Sequence, residues 1–206
     1  MSHQISATRQ LPPGYAPPRV LNLARPITIL LMTLGSVFLL VPFAWLSLNA
    51  IRLLRRGAST SLAVDSGGDL VALLLVLVGV IVVPIVLHEA IHGAFFFHFT
   101  RDRPVFAFKG YAASAGAPEW HLPRQQYLVV GLAPLGVLTI LGLGLIAVVP
   151  DAWLEPLALA ITFHGAGTIG DLVSVFWLLR FPRGTLFRDT GDVLNAYPPL
   201  ADPTEP

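Results

Sequence analysis

Residues 70–99 read LVALLLVLVGVIVVPIVLHEAIHGAFFFHF, an apolar run with one carboxylate, Glu89, and three histidines, His88, His92 and His98. At 1.5 Å per residue the run is long enough to cross a bilayer core of about 30 Å. Inside it sits His88-Glu89-Ala90-Ile91-His92. Two histidines four apart on a helix are offset by about 40° and roughly 6 Å, so both can reach one metal ion. The glutamate between them lies beside that pair, where it can take a proton from water activated by the metal. A zinc-hydrolase pattern inside a membrane-length helix is the feature the rest of the chain has to accommodate.

The composition agrees with the length of that run. Hydrophobic residues are 54% of the 206 and charged residues 12%, about half the share of a soluble domain. Mean hydropathy is +0.71. Apolar surface on this scale needs lipid, so an integral membrane protein is expected. The net charge of +1 supplies no basic field for nucleic acid. With no cysteine in the chain, disulfides, iron–sulfur clusters and thiol nucleophiles are excluded, and a metal must be held by histidine or carboxylate.

Four stretches are long enough to span: Ile27–Ile51, Leu70–Phe99, Tyr127–Val149 and Trp153–Leu179. Residues 1–26, polar and carrying Pro12, Pro13, Pro17 and Pro18, read as a disordered cytoplasmic tail ahead of a signal-anchor helix. Residues 27–179 form a transmembrane zincin-like domain, and 180–206 a cytoplasmic C-terminal tail. The fold class is all-α membrane protein with about four transmembrane helices. Between spans two and three, Val105-Phe106-Ala107-Phe108-Lys109 alternates weakly and small residues follow through Ala117, which suggests a short β-hairpin. Four spans put ten of the thirteen lysines and arginines on the side of the termini and only Arg52, Arg55 and Arg56 on the other. By the positive-inside rule both termini face the cytoplasm of a multi-pass cell-membrane protein.

A catalytic zinc takes three protein ligands and keeps a fourth position open. His88 and His92 supply two. Span four contains Phe163-His164-Gly165-Ala166-Gly167-Thr168-Ile169-Gly170-Asp171. His88 and Asp171 each lie 18 residues into spans that run the same way, so both reach a depth of about 27 Å. An aspartate in a span is a functional candidate because an unpaired charge in lipid is costly; pairing with Arg180 or Arg124 is the structural alternative. Glycines 165, 167 and 170 would allow span four to approach span two closely. On a regular helix His164 stands about 10 Å from Asp171, too far to share its metal. Should the glycines unwind the segment, His164 could contact substrate or support a ligand.

These residues resemble a family of small prokaryotic membrane zincin peptidases. The resemblance rests on the HExxH turn, on Gly131-Leu132-Ala133-Pro134-Leu135 and on Gly170-Asp171, and it covers roughly residues 70–200. That family is similar in turn to the site-2 protease type of intramembrane metalloprotease, in which a late aspartate completes the metal site. The resemblance implies His88, His92 and Asp171 as zinc ligands and Glu89 as catalytic base. Site-2 enzymes carry an asparagine and a proline before that aspartate, whereas this chain has His164 and glycines.

Other motifs compete less well. His98 has the spacing of the third ligand in HExxHxxGxxH zincins, but Phe95 stands where glycine would turn the chain, and an unbroken helix carries His98 about 15 Å from His88. His121 reads as a surface histidine. Gly165-x-Gly167-x-x-Gly170, with Asp189 nineteen residues further on, outlines a dinucleotide turn but lacks a βαβ setting. Pro84 and Pro134 read as kinks or tolerated membrane prolines. The expected activity is zinc-dependent hydrolysis of a peptide or membrane-protein substrate near the cytoplasmic face. Membrane lipid is the surrounding partner and no nucleic acid is involved. A non-catalytic metal-binding scaffold or a transporter is the competing class.

Overall fold

The computed structural model describes residues 6–57, 67–108 and 113–200. Four helical stretches are long and apolar enough to cross a membrane: Pro26–Leu54, Leu70–Thr100, Arg124–Ile146 and Asp151–Leu178. They correspond to the four expected spans within a few residues at each end. In chain order the elements are β1 (Arg19–Asn22), α1 (Pro26–Leu54), α2 (Gly67–Thr100), β2 (Val105–Phe108), β3 (Ala113–Gly116) and β4 (Leu122–Pro123), followed by α3 (Arg124–Ile146). A 3₁₀ turn at Asp151–Trp153 leads into α4 (Leu154–Gly167), α5 (Ile169–Leu178), β5 (Leu186–Asp189) and β6 (Val193–Tyr197). The chain divides into two compact units, Met1–Leu31 with Glu89–Ala133 and Gly170–Pro206, and Met32–His88 with Pro134–Ile169.

The unit of residues 32–88 and 134–169 is helical and turns much apolar surface outward. Phe38 is 76% exposed, Val41 71% and Ile140 73%. At about 25 cal/mol per Å² such surface would be costly in water, and hydrocarbon is its fitting solvent. Inside the unit the helices meet over small residues. A side chain at Gly165 would collide with the Phe43 ring of α1, and a Cβ at Gly142 would lie 2.7 Å from Ile161. Ser47 and Thr162, both buried, pair their hydroxyls at 3.3 Å. The close approach made by Gly165 is therefore to span one, whereas the expectation was span two. Side chains built at Gly167 and Gly170 would meet open space.

The fourth span is not one regular helix. It breaks at Thr168 (φ −75°, ψ 6°), whose hydroxyl donates to the Gly165 carbonyl at 2.8 Å. A threonine hydroxyl that caps the preceding turn and a glycine-rich run ahead of it both favour ending α4 here.

The unit that holds both termini contains a four-stranded antiparallel sheet of order β1-β6-β5-β4. Its core is aromatic: Phe187, fully buried, has Tyr127, Trp177 and Phe181 rings within 6.2 Å of its centroid. The expected hairpin is present as β2 and β3, with Phe106 opposite Ala115; Lys109 lies outside the described residues. Two expectations are corrected. The N-terminal segment, expected to be disordered, contributes β1 as the edge strand on β6, and Thr8 exchanges backbone hydrogen bonds with His121 at 3.0 and 2.7 Å. Edge pairing uses backbone groups, and a tract with four prolines suits an edge because prolines donate nothing to a second neighbour. His121 is accordingly buried, with its ring against Tyr197, and not on the surface.

Candidate metal centre

Helix α2 sets His88 and His92 one turn apart, with Glu89 half-buried between them. His92 is buried. Its Nδ1 lies 3.0 Å from the carbonyl oxygen of Val130 on α3. That carbonyl is available for a reason written in the sequence. In a helix Val130 would accept from the N–H four residues on, and position 134 is proline, which has none. The contact sets the imidazole tautomer: Nδ1–H donates to Val130, and Nε2 keeps its lone pair. Nε2 in turn faces Asp171 Oδ1 at 3.3 Å.

Asp171 occupies the first turn of α5, immediately after the break at Thr168. A carboxylate is stabilised there by the helix N-terminus. The break thus turns a mid-span residue into a helix-start residue. The structural alternative for Asp171, pairing with Arg124, has a different outcome: the Arg124 guanidinium donates to the Phe181 carbonyl at 2.6 Å.

His88 has a contact of its own. Its Nδ1 lies 3.2 Å from Nε2 of His164, a buried residue on α4, and the two rings meet edge to face. At His92 the Nδ1–H to carbonyl bond is the arrangement by which metal-ligating imidazoles are held. His92 and Asp171 lie 3.3 Å apart, and His88 stands one turn before His92 on the same helix. Tetrahedral zinc with bonds of 2.0–2.2 Å has ligand–ligand edges of about 3.4 Å, close to the His92–Asp171 separation. Two imidazoles and one carboxylate are a donor set that zinc accepts, so the residues present fit the ion.

Among the other sequence candidates, His98 is exposed and packs on Phe99 at 5.1 Å between ring centroids, outside this group. His164 is outside it too and touches it through His88. The glycine run 165–170 lies in α4 and α5, and the strands among the described residues are antiparallel, so the dinucleotide outline has no βαβ unit around it.

Sequence reasoning missed a second polar pair. The Tyr127 hydroxyl donates to the Asp189 carboxylate, whose other oxygen accepts from the Gly191 N–H at 2.7 Å. Burial pushes the Asp189 carboxyl up from its ordinary range, and these two hydrogen bonds pull it back. The negative charge of Asp171 pushes the Asp189 carboxyl up as well. Its signal was faint: an aspartate ending a four-residue strand and followed by a Thr-Gly turn.

Fold and site together define a helical protein of membrane type with an HExxH turn that meets a late aspartate. The chain belongs to the family described as "Putative zincin peptidase", which matches residues 80–186. No curated protein and no solved structure matches it.

Proposed function

We propose that this protein is a zinc-dependent metallopeptidase of the cell membrane, with His88, His92 and Asp171 as metal ligands and Glu89 as general base. The observation that carries the reading is the approach of Asp171 Oδ1 to His92 Nε2, at 3.3 Å, on an imidazole whose Nδ1–H donates to Val130. His88, one turn earlier on α2, has its Nδ1 3.2 Å from His164 Nε2. Bound zinc supplies Lewis acidity, which polarises a scissile carbonyl and lowers the pKa of water to about 7.

The chain's own residues perform the remaining work. Glu89 accepts the proton of the attacking water and returns it to the leaving amine. The substrate is a peptide or a membrane protein presented in extended form. Strand β2 supports that choice, because Phe106 packs on the α2 backbone directly after His92: a Cβ at Gly93 would stand 2.6 Å from its ring. Val105, Phe106 and Phe108 are exposed there, and a substrate strand can add along such an edge. The excess of arginine and lysine in the terminal segments and the 101–124 region supports cytoplasmic termini and cleavage near the cytoplasmic face. Membrane lipid surrounds the helices.

The test is metal content followed by cleavage. Purified protein should hold about one zinc per chain, lost in a His88→Ala, His92→Ala double variant. Glu89→Gln should keep the zinc and lose hydrolysis of a membrane-protein substrate pool. Full zinc retention in the double variant overturns the site, and unimpaired cleavage by Glu89→Gln overturns the mechanism.

A further inference from the structure

Within the unit of residues 32–88 and 134–169, a cavity of about 800 Å³ opens between α1 and α4. Its body is lined by Ala44, Leu48, Ile51, Ala158 and Leu159, all apolar. The polar groups in its depth are satisfied already. Ser47 and Thr162 pair with each other, Ser47 reaches the Ala44 carbonyl and Thr162 that of Ala158. Nothing there calls for a polar guest.

The mouth is different. Arg52, Arg55, Arg56 and Glu155 surround it. Arg55 is committed: it donates to the carbonyls of Ile146 and Val149, at 3.3 and 2.5 Å, and pairs with Asp151. Arg52 and Arg56 are exposed and have no ion-pair partner among the described residues. Counting Glu155 against them, and Arg55 against Asp151, the mouth carries one net positive charge.

The position of the mouth is fixed by its neighbours. Asp151, paired with Arg55, opens the turn that carries Trp153, which is 55% exposed. Arginines, an aspartate and an exposed tryptophan at one level are the residue mixture of a membrane–water interface. From Arg52 to Ala44 the cavity follows about 12 Å of helix, most of the thickness of one leaflet's hydrocarbon. A polar, positively charged mouth above an apolar shaft of that depth has the shape and charge of a phospholipid.

We propose that this cavity binds an anionic glycerophospholipid, its phosphodiester on Arg52 and Arg56 and one acyl chain along the α1–α4 groove. Glu155 sets the preference, since it disfavours further negative charge beyond the phosphate. The apolar shaft selects a lipid over a free phosphate ester.

Lipid retention by the full-length protein, measured by native mass spectrometry with phosphatidylglycerol or phosphatidylcholine of matched chains, tests this. Each arginine at an anionic head contributes about fivefold, so phosphatidylglycerol should be preferred by up to about thirtyfold. The preference should fall to within about twofold in an Arg52→Gln, Arg56→Gln double variant, with unchanged zinc content as the control for folding. Glu155→Gln should strengthen phosphatidylglycerol retention, and millimolar glycerol phosphate should not displace it. Equal retention of the two lipids, an unaltered preference in the double variant, or displacement by glycerol phosphate would each overturn the proposal.

Discussion

A carboxylate inside a membrane-length helix is affordable when a metal ion can share its charge, and Asp171 stands 3.3 Å from Nε2 of His92, a second proposed ligand. This assignment is the one on which sequence depth and structure bear most directly. The expectation was that His88 and Asp171 stand at one level; Asp171 meets His92, one turn after His88 on α2. His98, the competing third ligand, is exposed, with its ring against Phe99. Asp171→Ala should therefore lower zinc affinity far more than His98→Ala, because it removes a proposed charged ligand while His98 is exposed with its ring against Phe99. Competition with a calibrated chelator measures both. A large loss for His98→Ala with little change for Asp171→Ala would reverse the assignment.

At the scale of elements, the site depends on two interruptions of regular helix. The first is Pro134 in α3, which was legible as a kink or a tolerated proline but not as a hydrogen-bond device. Its consequence needs a partner from a distant part of the chain, and His92 is remote from it in sequence. The second is the break at Thr168, which makes Asp171 a helix-start residue. The glycines around it were visible; that the chain would stop α4 at threonine 168 was not, because helix ends within an apolar run leave no change of periodicity. The proline argument can be tested alone. Pro134→Ala restores an N–H that competes for the Val130 carbonyl, so His92 loses the bond that fixes its tautomer. Outer-shell changes of this kind cost about 10- to 100-fold in metal affinity, and that is the expected loss. His164→Ala should produce a similar loss through His88. Unchanged zinc affinity in both variants would mean that neither Nδ1 contact matters to the metal.

Across the whole molecule, long apolar helices were legible and the sheet was not. Four spans announce themselves by length and composition. Strands β1, β4, β5 and β6 have two to five residues each and pair across most of the chain, so no local alternation marks them. The docking of the N-terminal segment follows from that sheet, and it carries a pH dependence. His121 exchanges backbone bonds with Thr8, and its buried ring has its pKa lowered, first by desolvation and then by the charge of Arg188, against backbone carbonyl contacts that raise it. A histidine with a lowered folded pKa binds its proton more readily when released. Its neutral, docked form is fully stable above the unfolded pKa of about 6.5 and loses stability as pH falls below it. Asp102, which pairs with Arg9 at 2.6 Å and takes a hydrogen bond from Trp120, has its carboxyl held below the ordinary range, so it stays charged through the same window and does not cause the change. Amide exchange at Thr8, corrected for intrinsic rate, should therefore accelerate between pH 7 and 5 in the parent. In His121→Gln, which has no ring to protonate, the corrected rate should stay flat across that range. An equal acceleration in both proteins would assign the loosening to another group.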